Sequence, residues 1–364
     1  MAFFGFFAMV VAWCLVRPVD GTALNLQADR LSLAYKRRLG KAAVLFSQWC
    51  QRRGASTAAL SKDPVKMNSW LIQYLQTLYD THRPFWLAKH TVLAMQTLFR
   101  PLKGQLRQAW DSVGTWRLQK PVQSRTPMRL EIMTALAFVA VLHATVLDMK
   151  RCREWMAFSV ALRVGWWSLL RPKELFGLKR GHLRLPSVSS FGGLRVAVLT
   201  IVNPKNKAFM GRLQVRMMRD EDSLAWLGWH CASLETADLL WPYSRQLFVK
   251  LLRDALRFFD LEHLGLTPGS LRAGGATHML ETGVPVQNIK YAGGWASDRS
   301  LASYLQEAEA ANTLLSMTDP QSRRLEVALT ELAFLRRPPS TGRDNGPDAR
   351  HGSLHGGRNG GGQP

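Results

Sequence analysis

The chain has 364 residues, of which 47% are hydrophobic, and its formal net charge at pH 7 is +22. This length allows two domains with sizeable cores, and a charge so far outside the ordinary globular balance favours a polyanionic partner, nucleic acid or an anionic membrane. Its four cysteines (Cys14, Cys50, Cys152 and Cys231) form no CxxC pair and no metal-ligand spacing, which excludes a disulfide scaffold and indicates a reducing compartment.

Residues 1–21 begin with the apolar run MAFFGFFAMVVAWCLV. The run is too short for a comfortable membrane span, and it resembles the hydrophobic region of a signal peptide without a basic start or a good cleavage site. We interpret it as a hydrophobic first helix or the product of a misassigned start codon. A leader peptide is the alternative.

Residues 22–120 have helical periodicity and predict a basic unit of four or five helices. Asp63 before Pro64 is a helix-start signal, and Gly54 follows the end of an earlier helix. Residues 1–120 hold 17 Lys and Arg against 5 Asp and Glu, which favours wrapping of DNA by this unit, with a generically basic protein as the alternative. The expected DNA-binding side chains are Lys36, Arg37, Arg38, Lys41, Arg52 and Arg53.

A polar stretch with two prolines at 121–129 predicts a linker, and 130–335 predicts a second domain. A helical region runs from Leu130 to about residue 170, and LRVAVLTI, NPKN and AFMGRLQVRMM follow as strand, turn and strand. Lys205 lies on that turn and Lys207 at its edge. Helical periodicity then returns, and the Gly-, Pro- and Arg-rich residues 336–364 predict a disordered tail.

Two segments of the second domain carry candidate site residues. In LLRPKEL, Arg171 precedes Pro172 and is expected at a helix start, where Glu174 would orient its guanidinium. An exposed ion pair of little value is the alternative reading. In TPGSLRAGGATHML, Arg272 lies on a helix whose small residues 273–276 allow close packing, and AGGW with Trp295 and then Tyr304 follow on separate elements.

This ordered set of Arg171, a hairpin lysine, Arg272, AGGW and Tyr304 is similar in order and spacing to the tyrosine recombinase (phage integrase) family. The AGGW…Y form resembles the Cre-like variant, which has Trp where most members have His. The resemblance covers roughly residues 30–320 and is strongest from 160 to 305. It implies a mainly α fold with a small β-hairpin, in which a helical core-binding domain and a catalytic domain form a two-domain DNA clamp.

The resemblance implies that Tyr304 attacks a DNA phosphate and forms a 3′-phosphotyrosine link. It assigns contact with the phosphate oxygens to Arg171, Arg272 and Trp295. Lys205 would protonate the departing 5′ oxygen, with Lys207 as the alternative acid. The implied chemistry needs no metal and no cofactor.

One position departs from the family pattern. The family has His three residues before the second Arg, whereas this chain has Gly269, and the residue after Arg272 is Ala273 rather than His or Lys. Losing one general acid–base group costs about 10²–10⁴-fold in rate. His278 on the same helix is expected to face elsewhere. The site is therefore slowed, rescued by another group, or retired to DNA binding.

The implied partner is double-stranded DNA, bound by a homotetramer on paired sites. The C-terminal segment LEVALTELAFL would dock on a neighbouring subunit or pack on its own domain. The expected compartment is the nucleus or another one that contains DNA. The sequence thus predicts a strand-exchange enzyme of a mobile element, a non-catalytic DNA-binding protein as second hypothesis, and a membrane-associated or secreted basic protein as third.

Overall fold

The computed structural model describes residues 31–120, 125–186, 195–206, 211 and 213–339. The chain divides into two compact units, Met1–Gln123 and Ser124–Pro364. The apolar segment 1–21 and the tail beyond residue 339 lie outside the described residues, as does Lys207. The boundaries 22–120, 121–129 and 130–335 stay predictions.

The first unit is helical, as its periodicity predicts. Its helices are α1 (Leu33–Gln51), α2 (Thr57–Leu60), α3 (Pro64–Asp80), α4 (Phe85–Leu98) and α5 (Arg107–Gln119), with a 3₁₀ turn at Arg100–Leu102. The Asp63 carboxylate accepts hydrogen bonds from the Val65 and Lys66 N–H groups, and this confirms the predicted helix start before Pro64. Phe46, Trp49 and Tyr74 pack together in the core.

One basic residue of α1, Lys36, is buried. The DNA-binding role of Lys36 stays a prediction, but its side chain is only 6% exposed and so does not lie among the exposed basic side chains of this helix. Its α-helical position explains why: Leu39, Gly40 and Ala43 lie three, four and seven residues later and are buried on the same face. The other five predicted side chains are exposed: Arg37, Arg38, Lys41, Arg52 and Arg53. Arg53 lies 4.0 Å above the Trp49 ring.

The second unit is built around an antiparallel pair of buried helices. The helices are α6 (Leu130–Val146), α7 (Met149–Trp167), α8 (Pro172–Leu175), α9 (Glu221–Cys231), α10 (Arg245–Phe258), α11 (Pro268–Glu281), α12 (Val286–Gly293), α13 (Asp298–Ala302), α14 (Glu307–Leu315) and α15 (Asp319–Glu331), with 3₁₀ turns at Arg180–His182, Glu262–Leu264 and Ala333–Arg336. The Asp148 carboxylate caps α7 through the Lys150 and Arg151 N–H groups. The predicted helical region after Leu130 is therefore two helices.

A three-stranded antiparallel sheet in the order β1-β2-β3 lies beside these helices. The strands are β1 (Leu183–Arg184), β2 (Ala197–Val202) and β3 (Leu213–Met218). In β2 and β3, Leu199 pairs with Arg216 and Val202 with Leu213. The predicted strand, turn and strand are confirmed. The sequence did not predict β1, because a strand of two residues is too short to show an alternating pattern.

Helix α11 packs closely because it carries glycines. A Cβ at Gly274 would overlap the Met128 carbonyl oxygen, and one at Gly275 would overlap the carbonyl oxygen of Trp166 on α7. Met128 also donates its N–H to the Ser270 carbonyl oxygen at 3.1 Å. The small residues therefore allow close packing on two sides, as the sequence predicts: against the chain at Met128 and against α7 at Trp166. This packing fixes the position of the backbone from which the Arg272 side chain extends.

The C-terminal helix α15 packs on its own unit. Leu325 and Ala328 belong to the same buried core as α6 and α7, and the Trp226 indole N–H donates to the carbonyl oxygens of Leu335 and Arg336 at 3.1 and 3.0 Å. Of the two placements considered for this segment, the structure has the one on its own domain. Among the described residues, no helix has the length and apolar character of a membrane span.

Candidate active site

Arg171 lies where the Pro172 signal predicts, at the N-cap of α8. Its Nη1 is 2.6 Å from Glu174 Oε1, and its backbone N–H donates to Glu174 Oε2 at 2.9 Å. The Glu174 side chain is 6% exposed and that of Arg171 is 19% exposed. This burial distinguishes the pair from a solvated surface ion pair, and the carboxylate fixes the guanidinium as the sequence predicts.

Arg272 is 1% exposed and lies on the first turns of α11. Its Nη1 donates to the Leu169 carbonyl oxygen and its Nη2 to that of Gly293, at 2.8 Å for the latter. Leu169 has a φ of 51°, a left-handed conformation that turns its carbonyl toward the guanidinium. These two bonds use two of the five N–H donors, so Nε, which is buried without a partner among the described residues, and the second hydrogens of Nη1 and Nη2 are left for a phosphate.

Burial chiefly lowers the pKa of Arg272, to about 9, and the positive charge of Arg171 adds to the lowering while Glu174 opposes it. The guanidinium is thus held in an environment that disfavours its charge. A nearby anion would relieve that cost, because an opposite charge favours the ionised form of a buried group.

Trp295 and Tyr304 enclose the same guanidinium. Arg272 Cζ lies 3.8 Å above the Trp295 ring and 5.4 Å from the Tyr304 ring centroid. The two aromatic rings meet edge to face with their centroids 5.2 Å apart. The Trp295 indole N–H is buried and has no partner among the described residues. The four side chains Arg171, Arg272, Trp295 and Tyr304 therefore gather around the turn at 293–295.

Gly294 is the center of that turn. Its φ is 62°, it caps the C-terminus of α12, and its carbonyl oxygen accepts from Asn206 Nδ2 at 2.9 Å and from Arg171 Nη2 at 3.5 Å. Asn206 Oδ1 in turn accepts from Gln214 Nε2 at 3.0 Å. The β2–β3 turn, with Lys205, is thereby linked to the site by hydrogen bonds.

Lys205 and Arg171 line one cavity of about 240 Å³. Glu174 and His182 line it as well. The Lys179 N–H donates to His182 Nδ1 at 3.2 Å, and burial lowers the pKa of His182, so the neutral ring presents Nε2–H as a donor. Lys205 is exposed, in keeping with a lysine that approaches its partner from a turn.

Arg216 is a site residue that sequence reasoning missed. It is 2% exposed on β3, its Nη2 donates to Gln214 Oε1 at 2.9 Å, and burial lowers its pKa, opposed by the charge of Glu174. On this strand the apolar side chains Leu213 and Val215 point outward, 62% and 56% exposed. The sequence signal for Arg216 is the alternation of polar and apolar residues along the strand, which places Gln214 and Arg216 on the same face.

The structure also describes the two positions at which this chain departs from the family pattern. Gly269 lies in the first turn of α11 and is buried, and Ala273 is buried as well. His278 packs against Trp166, with ring centroids 5.1 Å apart, and burial lowers its pKa. The expectation that His278 faces away from Arg272 agrees with this packing. The Tyr304 hydroxyl has no hydrogen bond within the described part of the chain.

No protein-family model matches the sequence, and no curated protein matches it. Among solved structures, the chain is similar to the Tn1549 transposon integrase in complex with transposon right end DNA, with a TM-score of 0.53 and 12% identity over 87% of this chain and 100% of that one. The same integrase in complex with a circular intermediate DNA gives a TM-score of 0.50 and 11% identity over 86% and 99%.

XerH site-specific recombinase bound to palindromic difH substrate gives a TM-score of 0.49 and 13% identity over 87% of this chain and 96% of that one. The two integrase likenesses establish the fold: the chain has the two-domain, mainly α fold of tyrosine recombinase structures, with its small antiparallel sheet. The fold class predicted from the sequence is confirmed.

Proposed function

We propose that this chain cuts and rejoins DNA strands as a tyrosine recombinase of a mobile element, with Tyr304 as nucleophile. The observation that carries the proposal is the convergence of Arg171, Arg272, Trp295 and Tyr304 on the turn around Gly294. Two arginines are held together there with one nearby carboxylate, Glu174. Burial of Arg272 disfavours its charge, and a buried arginine held in this way is typical of a site for an anion.

The chemistry assigned to these groups is phosphoryl transfer without a cofactor. The Tyr304 oxygen attacks phosphorus, a Tyr–O–P bond forms, and the bond from phosphorus to the 5′ oxygen breaks. Lys205 supplies the proton for that 5′ oxygen, and Lys207 is the alternative donor. Arg171, Arg272 and the Trp295 N–H stabilise the charge that develops on the phosphate oxygens.

The proposed partner is double-stranded DNA. The net charge of +22 and the five exposed basic side chains of α1 and its C-terminal end support contacts with the phosphate backbone. The Tn1549 integrase structures that resemble this chain are complexes with DNA, and we carry that partner over to this chain as part of the proposal. A homotetramer on paired sites and action in the nucleus or another DNA-containing compartment complete it.

A suicide substrate tests the proposal. A DNA duplex selected by this protein from a randomised library is nicked next to each candidate cleavage position, so that cleavage releases a short fragment and traps the covalent complex. Wild type should form an adduct that resists denaturation, and Tyr304→Phe should form none while binding the same duplex. Tyr291→Phe, on an exposed tyrosine of α12, is the matched control and should form the adduct normally. Absence of an adduct with wild type would refute strand cleavage.

A second function, DNA binding without catalysis, is favoured by Gly269. It predicts that wild type forms no adduct and that DNA affinity falls with salt in the same way in wild type and Tyr304→Phe. Salt-dependent binding without an adduct would therefore identify a DNA-binding protein that has lost catalysis, and absence of binding would exclude this second function.

A further inference from the structure

The space that a side chain at residue 269 would occupy is filled by another residue. A Cβ at Gly269 would lie 2.5 Å from Nη1 of Arg125, 2.8 Å from its Cδ and 2.9 Å from its Cζ. The Arg125 side chain thus crosses the first turn of α11 in van der Waals contact with the glycine. Any larger residue at 269 would displace it.

The segment that carries Arg125 is fixed to this helix. Met128 donates its N–H to the Ser270 carbonyl oxygen at 3.1 Å and accepts from the Trp166 indole N–H at 2.9 Å. These bonds hold the chain three residues after Arg125 against the start of α11.

The location is adjacent to Arg272. Residues 269 and 272 are three apart in α11 and share one face of the helix. The Arg125 guanidinium therefore contacts α11 one turn before Arg272 in the sequence, at the position where the resemblance places a histidine.

The donors of Arg125 are available. The side chain is exposed and makes no hydrogen bond or ion pair within the described residues, whereas Arg171 is bound to Glu174 and Arg272 to two carbonyl oxygens. A guanidinium offers five N–H donors in a plane that fits phosphate oxygens, and it stays protonated, so it accepts no proton.

We propose that Arg125 replaces the histidine as a third arginine on the scissile phosphate. This rests on the proposed function. Arg125 donates to a non-bridging oxygen and stabilises the charge of the transition state, but it takes no proton from Tyr304. As the Tyr–O–P bond forms, the Tyr304 proton passes to water, and the departing 5′ oxygen takes its proton from Lys205. Gly269 is thus the residue that makes room for the arginine.

The test compares single-turnover cleavage of the suicide substrate at saturating DNA. Arg125→Gln should cleave about 10²-fold more slowly than wild type, the cost typical of one lost transition-state donor. Arg125→Lys should recover part of that rate, since it restores the charge without the planar fork. Arg253→Gln, on an exposed arginine of α10, is the matched control and should cleave at the wild-type rate.

A second pair of variants tests the spatial argument. Gly269→His alone should not speed cleavage, because its ring meets the Arg125 side chain. The double variant Gly269→His with Arg125→Ala should cleave faster than Arg125→Ala and acquire an inflection in its pH–rate profile near pH 6.5, the range where histidine titrates. Wild type should lack that inflection.

The outcomes are separable. If wild type cleaves and Arg125→Gln cleaves equally fast, the role of Arg125 is refuted and the proposed function stands. If Gly269→His alone cleaves faster with a histidine-like pH profile, the replacement is refuted as well. If wild type forms no adduct with any selected duplex, the proposed function fails, and the catalytic role of Arg125 fails with it.

Discussion

Gly294→Ala tests how firmly the turn of the candidate site is determined. Gly294 has a φ of 62°, and an added Cβ would overlap Nη2 of Arg216 and lie 2.8 Å from its Cζ and from Gln214 Oε1. The left-handed conformation costs a residue with a Cβ about 1–2 kcal/mol. Displacing two buried side chains adds about 1–3 kcal/mol, as overpacking of a core does. The free energy of unfolding should therefore fall by about 2–5 kcal/mol.

Gly265→Ala is the matched control, because Gly265 has a φ of 60° and nothing lies within 4 Å of an added Cβ. It should lose only the conformational part, about 1–2 kcal/mol. Urea denaturation of both variants and wild type, followed by tryptophan fluorescence, measures the two losses. Equal losses in the two variants would refute the packing of Arg216 and Gln214 against the turn.

Three further predictions concern chemistry, pH and DNA. Trp295→Phe keeps a ring over Arg272 but removes the indole N–H, so suicide-substrate cleavage should fall about 10²-fold; an unchanged rate would exclude this donor. Burial lowers the pKa of His230 below its value in the unfolded chain. As the pH drops through about 6.5, the unfolded state therefore takes up protons before the folded state does, and the free energy of unfolding should fall. The urea midpoint of His230→Gln should change less between pH 7.5 and 5.5 than that of wild type. Lys41→Gln should reduce the slope of log affinity against log salt by about 1 in filter binding, and an unchanged slope would place Lys41 away from phosphate.

The sequence predicted the parts of the site that local signals specify. Pro172 marked the helix start that presents Arg171, and the i,i+3 spacing gave its pairing with Glu174. The turn signal NPKN located the hairpin that carries Lys205. Each of these features depends on a few neighbouring residues, so a single sequence is sufficient to predict them.

Long-range placement could not be read in the same way. Arg216 faces the site only because β3 has its polar side chains inward, which inverts the usual pattern of a half-buried strand. Arg125 contacts Gly269 only because the fold brings together two segments that are 144 residues apart in the sequence. Lys36 is buried because of its phase in the helix, which places it on the face of Leu39 and Ala43, and its charge alone gives no sign of this.

The glycines of α11 also limit how the site can respond to a ligand. With the Met128 carbonyl on one side and the Trp166 carbonyl on the other, neither Gly274 nor Gly275 leaves space for the helix to rotate or slide. A change in the partners of Arg272 must therefore be made by its own side chain and by residues 293–304, which pack over it. A rearrangement of the site on binding of the proposed DNA partner would thus fall on a segment of about a dozen residues, while the closely packed α11 keeps its place.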